Sequence, residues 1–165
     1  MSKRNFRPFI IPFLLLALVL GCSKNDSNSK LPGNSENYKS VGASAHDLLS
    51  NGTGYSSVKI EVQYMPGFGP DAGAINNLVA FLNMLINKPN GITVVQTQIP
   101  SSGKTILSLA DIVNIEKANR TVYTAGSQIG VYFLYTDGNY TEANVLGVAY
   151  RNTSLCMFGK TVHDN

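Results

Sequence analysis

Side chains able to do chemistry are few and far apart in this sequence. Histidine occurs at His46 and His163, and cysteine at Cys22 and Cys156. Zinc-dependent peptide hydrolysis uses two histidines one helical turn apart with a glutamate between them. Neither His-Glu-x-x-His nor Cys-x-x-Cys occurs in the sequence. The two isolated histidines read as exposed bystanders, and no residue is assigned to catalysis or to a metal. Cys156 lies in the apolar run Ser154-Leu-Cys-Met-Phe158. It reads as a small buried hydrophobe, since nothing nearby would activate a thiolate. Gly67-Phe-Gly69-Pro-Asp-Ala72 has the spacing of a dinucleotide fingerprint. Three features oppose that reading. Pro70 has no N–H to offer a phosphate, the preceding strand is amphipathic, and no acidic residue ends the second strand. Gly103-Lys104-Thr105 mimics the end of a P-loop, but Gln98 stands where its first glycine belongs.

Cys22 is different because its surroundings give it a chemistry. Lys3, Arg4 and Arg7 precede an apolar run from Phe9 to Leu20, and Val19-Leu20-Gly21 leads into the cysteine. The run is shorter than the roughly 20 residues a bilayer span needs. A basic start, a short apolar core and small residues before a cut mark a secretory signal. Val19-Leu-Gly-Cys22 resembles the lipobox of bacterial lipoproteins, in which the cysteine is acylated and becomes the new N-terminus. The expectation is a signal peptide over 1–21 and lipid on Cys22, giving an exported protein anchored in the cell envelope, at the outer membrane. The 13 Lys and Arg exceed the 10 Asp and Glu by three, and Lys3, Arg4 and Arg7 lie in the leader. The mature chain is therefore formally neutral. Its charge gives no support for nucleic acid as a partner, which would need a basic face.

The elements that must position everything else follow from periodicity. Residues 22–55 are rich in Ser, Asn, Gly and Lys and read as a flexible tether, with a short helical turn over Ala45–Leu49. An α/β domain is expected over 56–165. Val58–Tyr64 alternates apolar and polar, as a strand with one wetter face does. Asp71 can cap a helix whose stripe is Ile75, Leu78, Val79, Leu82, Leu85 and Ile86. Ile92–Ile99 reads as a second strand. Ser108-Leu-Ala-Asp111 reads as a capping box opening a second helix. Strands are expected over Ile129–Tyr135, Val145–Tyr150 and Ser154–Val162, with a hairpin at Arg151-Asn-Thr153. The fold class is α/β: a twisted mixed sheet of about five strands, mostly parallel with one antiparallel edge strand, and two helices.

This order of elements resembles the N-terminal subdomain of metzincin-type zinc metallopeptidases. Tyr64-Met-Pro-Gly-Phe-Gly-Pro-Asp-Ala72, Val145-Leu-Gly-Val-Ala-Tyr150 and Ser154-Leu-Cys-Met-Phe-Gly-Lys-Thr-Val-His-Asp164 are similar to stretches of bacterial lipoproteins of the membrane metalloprotease type. The resemblance implies that Gly147, Val148, Ala149 and Tyr150 form the antiparallel edge strand, which binds the backbone of a peptide or protein substrate as an added strand. It implies zinc as the cofactor of the full-length family, held on a helix after the last strand. No such motif is present, so the resemblance implies a chain truncated before that helix, inactive as it stands, with an apolar patch where the helix would lie. The alternative is a non-catalytic cell-envelope lipoprotein with a binding or structural role.

Overall fold

The computed structural model describes residues 35–50 and 54–163. The expected signal peptide and Cys22 lie outside the described residues. A 3-10 turn at Ser35–Tyr38 is followed by helix α1 (Ala45–Leu49), strand β1 (Ser57–Tyr64), helix α2 (Ala72–Leu85) and strand β2 (Ile92–Gln98). Then come β3 (Ile106–Leu107), α3 (Leu109–Asn119), β4 (Gln128–Thr136), β5 (Asn139–Tyr140), β6 (Gly147–Arg151), β7 (Ser154–Phe158) and α4 (Gly159–His163). The five long strands form one sheet in the order β2-β1-β4-β7-β6. All neighbours are parallel except β6 and β7, so the sheet is mixed with an antiparallel edge strand. The fold class read from the sequence is the one observed. The short β3 and β5 form a separate two-stranded ribbon.

Local chemistry sets the helix starts. The Asp71 carboxylate accepts from the Gly73 N–H at 2.7 Å and opens α2. Ser108 and Asp111 exchange a full capping box at the start of α3. Hydrogen bonds from the Lys104 ammonium, then from the Ser108 N–H and hydroxyl, hold the Asp111 carboxyl well below the usual range.

The helices cover opposite faces of the sheet. On one face Ile75 of α2 packs with Val58, Ile60, Val62 and Ile129. On the other, Ile112 of α3 packs with Tyr132, Leu134, Cys156 and Phe158, each of them fully buried. Two successive crossovers to opposite faces follow from β1 sending the chain outward to β2 and β2 sending it back past β1 to β4.

Three details depart from the sequence reading. The last strand stops at Phe158, and Gly159 opens α4. A Cβ on Gly159 would run into the Phe68 ring, so the turn into this helix has room only for glycine. The polar face of β1 is not wet: Glu61 and Gln63 are each 2 % exposed. Glu61 accepts from the N–H groups of Thr121 (2.9 Å) and Val122 (2.8 Å), and from the Thr121 hydroxyl (2.7 Å), because the segment after α3 folds over it. Finally, the described part of the expected tether is built into the domain. Asn37 is fully buried against β4 and the β6–β7 turn. Lys88 points its ammonium at the carbonyls of Leu48 (2.7 Å), Ser50 (3.1 Å) and Tyr55 (3.1 Å), and burial lowers its pKa.

Candidate functional site: an open strand edge beside an apolar groove

The four residues read as a substrate-binding edge all lie on β6, at one end of the sheet. β6 pairs with β7 through Gly147↔Met157, Val148↔Cys156 and Ala149↔Leu155, and then the register shifts before Arg151↔Ser154. The bulge falls at Tyr150 and bends the end of the strand. The Phe158 N–H donates to the Leu146 carbonyl at 2.9 Å. Antiparallel alternation from that bond turns the N–H and C=O groups of Gly147 and Ala149 away from β7. Ala149 is exposed, whereas Val148 and Tyr150 pack against the core on the α3 face. Burial raises the Tyr150 phenol far above its ordinary pKa, so it is neutral at every physiological pH.

Gly147 has a packing reason that the sequence alone does not reveal. A Cβ there would lie 2.7 Å from the Met157 sulfur and 2.8 Å from the Cys156 carbonyl oxygen. The sulfur can move but the carbonyl belongs to the neighbouring strand. Gly147→Ala is therefore expected to cost about 1–3 kcal/mol by overpacking. Chemical denaturation measures it, and an unchanged midpoint would mean the strands separate freely.

An apolar groove of about 260 Å³ runs beside β6 on the α2 face. Leu78 and Leu82 of α2 and its C-cap Ile86 form one wall, with Val131, Phe133 and Leu155 of β4 and β7 along the floor. Further out on α2, Phe81 is 53 % exposed and Leu85 62 %. β4 and β7 are thus apolar on both faces, and among the described residues only the α3 face is sealed: Tyr132, Leu134 and Cys156 are buried where Val131, Phe133 and Leu155 are half-buried. No protein-family model, curated protein or solved structure matches the chain.

The glycine motifs resolve into turns. Gly67 takes a φ of +84° in the turn closed by the Phe68 N–H on the Met65 carbonyl, and a Cβ on Gly69 would press on the Tyr64 ring at 3.2 Å. The Ser101-Ser-Gly-Lys104 loop wraps the chain's own Asp137, whose carboxylate accepts from both serine hydroxyls and from the Ser102 N–H. Cys156 is buried, and burial pushes its thiol up to about 12, which leaves it protonated.

Sequence reading passed over one cluster. Glu116 on α3 and Arg120 at its C-cap, four residues apart, are both buried and paired at 2.7 Å, with Arg151 on the second carboxylate oxygen at 3.1 Å. Their i, i+4 spacing was legible, but such a pair is usually a solvated surface pair. Every oxygen of this carboxylate is occupied, so it braces α3 on the sheet and offers nothing to a substrate. His46 lies on exposed α1 beside Asp47. Among the described residues no three His, Cys, Asp or Glu side chains are grouped to hold a metal, and no helix is long and apolar enough to cross a membrane.

Proposed function

We propose that this chain is a lipid-anchored lipoprotein of the bacterial cell envelope, and that its domain is the front part of a metzincin-type zinc endopeptidase. Cys22 carries the lipid, and the edge strand Gly147–Arg151 receives an extended peptide by strand addition. The observation supporting this most is the half-covered sheet. Parallel strands such as β4 and β7 are normally sealed by helices on both faces. Here, among the described residues, an open apolar groove bordering the candidate peptide edge stands in place of the second seal. In the proposed reading a further helix, bearing His-Glu-x-x-His, occupies that groove and brings zinc to the edge strand.

The described residues do not fit a zinc site by themselves, as exposed His46 has only Asp47 beside it. No catalytic step is assigned to this chain. That same observation favours a second reading, a binding lipoprotein that uses the edge without metal.

Reading the nucleotide sequence beyond the Asn165 codon separates the two. A His-Glu-x-x-His encoded downstream in any frame is the expected result, and its absence from all frames would leave only the binding role. The anchor has its own test. Cys22→Ala should move the protein from the membrane pellet to the soluble fraction, and the mature wild-type N-terminus should carry acyl mass. Continued membrane association of the variant would remove the lipid from the proposal.

A further inference from the structure

β2 is the opposite edge of the sheet, and among the described residues it has none of the usual protections of an edge. Among the described residues it pairs only with β1, in an unbroken register from Val58↔Ile92 to Tyr64↔Gln98. Natural edge strands are shortened, bulged, or guarded by Lys or Pro. Ile92–Gln98 runs seven residues with no bulge, charge or proline. The neutrality extends well beyond the strand. Between Ala72 and Gly103 the only charged residue is Lys88, and that side chain is buried in its carbonyl cage. α2, which packs beside β2, carries no charge at all.

The direction of the free backbone groups follows from the bonds to β1. The Val58 N–H donates to the Gly91 carbonyl, and the Ile99 N–H donates to the Tyr64 carbonyl. Odd-numbered residues of β2 therefore face β1. Ile92, Val94, Gln96 and Gln98 turn their N–H and C=O groups outward.

We propose that β2 is a homodimer interface, in which two copies of the chain pair their β2 strands antiparallel about a two-fold axis through Val95. The partner is a second copy because the strand is self-complementary in three ways. An isologous contact sets the same patch against itself. A charged patch would repel itself there, and this one has no charge. Centring on Val95 pairs all seven residues: Ile92 with the partner's Gln98, Thr93 with the partner's Thr97, Val94 with the partner's Gln96, and Val95 with the partner's Val95. In that register the outward residues meet as the hydrogen-bonded pairs, giving about eight new backbone bonds. Thr93, Val95 and Thr97 meet as the close, non-bonded pairs, where threonine–threonine and valine–valine contacts are favourable. Val95, 37 % exposed in the single chain, would be covered. The proposal needs neither the lipid nor the peptidase resemblance.

The test uses single-cysteine cross-linking of the full chain in detergent micelles, in a Cys22→Ser background that leaves the introduced thiol as the one accessible to oxidant whether or not Cys22 is acylated. Buried Cys156 does not compete for oxidant. On the axis, Val95→Cys places two thiols on Cα atoms about 4.5 Å apart, inside the disulfide range. Thr93→Cys places its own two copies about 14 Å apart, outside it. Mixing Thr93→Cys with Thr97→Cys chains restores a close pair. The expected result is dimer from Val95→Cys and from the mixture, at least about tenfold above Thr93→Cys alone. Val95→Lys sets two like charges face to face and should give a monomer by sedimentation that still unfolds cooperatively, at a melting temperature lowered only by the lost association. A monomeric wild-type chain, or equal cross-linking by Val95→Cys and Thr93→Cys alone, overturns the interface.

Discussion

Glu116→Leu is expected to destabilise the domain by about 3–5 kcal/mol, the usual cost of stranding one partner of a buried ion pair. Glu116 is 2 % exposed and accepts from Arg120 at 2.7 Å, from the Ser154 hydroxyl at 2.7 Å and from Arg151 at 3.1 Å. Arg151 lies near the surface over the Tyr38 ring and can turn toward water. Arg120 cannot, because its side chain is wholly buried. Its other hydrogen bonds go to the carbonyls of Val122 (2.7 Å) and Gly130 (2.9 Å) and to the hydroxyls of Ser154 (3.0 Å) and Thr153 (3.3 Å), and its guanidinium lies over the rings of Tyr123 and Tyr132. Without Glu116 that cation has neutral partners only. Domain stabilities are of order 5–15 kcal/mol, so the loss is a large share of the total.

The comparison that isolates the charge is the double variant. Glu116→Leu with Arg120→Met removes both ions, and exchanging a whole buried pair for apolar groups is often neutral. The double variant should therefore lie closer to wild type than Glu116→Leu does. Urea unfolding of the four proteins gives the cycle. Additive losses would show that the two residues act through packing and not through each other.

Asn37→Ala is the second large effect, at about 1–3 kcal/mol. The Asn37 amide donates to the Thr153 hydroxyl at 2.8 Å and the Gly130 carbonyl at 3.1 Å, and its oxygen accepts from the Thr124 N–H at 2.9 Å. One side chain thus ties the segment that leads in from the N-terminus to β4 and to the β6–β7 turn. Alanine leaves the buried Thr124 N–H without an acceptor, which accounts for most of the cost. The effect should also be local. The Asn152 N–H still donates to the Lys39 carbonyl at 2.9 Å, and the Lys88 cage still holds the end of α1. Limited proteolysis of the variant should open new cuts between residues 35 and 45 before the sheet unfolds. An unchanged unfolding midpoint with an unchanged cleavage pattern would show that the clasp is dispensable.

What was legible in the sequence was local. The Asp71 cap, the Ser108–Asp111 box and the stripe of α2 each depend on residues within a few positions of one another. The candidate edge was legible as a strand because Val145–Tyr150 and the expected strand Ser154–Val162 flank a hairpin-sized gap. The groove beside it was expected in kind, but its walls were not, since they come from α2, β4 and β7 together. The tether reading missed Asn37 because composition averages over a segment, and one well-placed amide is invisible in the average. Glu61 and Gln63 were read as wet because a period of two separates two faces without saying which one is covered. The segment after α3, more than fifty residues away, decides that.

By itself the sequence determined the types of the long elements, the mixed α/β class and the likeness of Val19–Cys22 to a lipid-attachment site, since propensity, capping and short motifs act over a few bonds. Only the tertiary structure decided which strands became the edges, that Gly147 is required by the neighbouring carbonyl, and that Glu116 and Arg120 face each other away from water. Those outcomes depend on sheet order and on chain segments folding over one another. Both are set by the burial of surface between residues distant in sequence, to which no local pattern is sensitive.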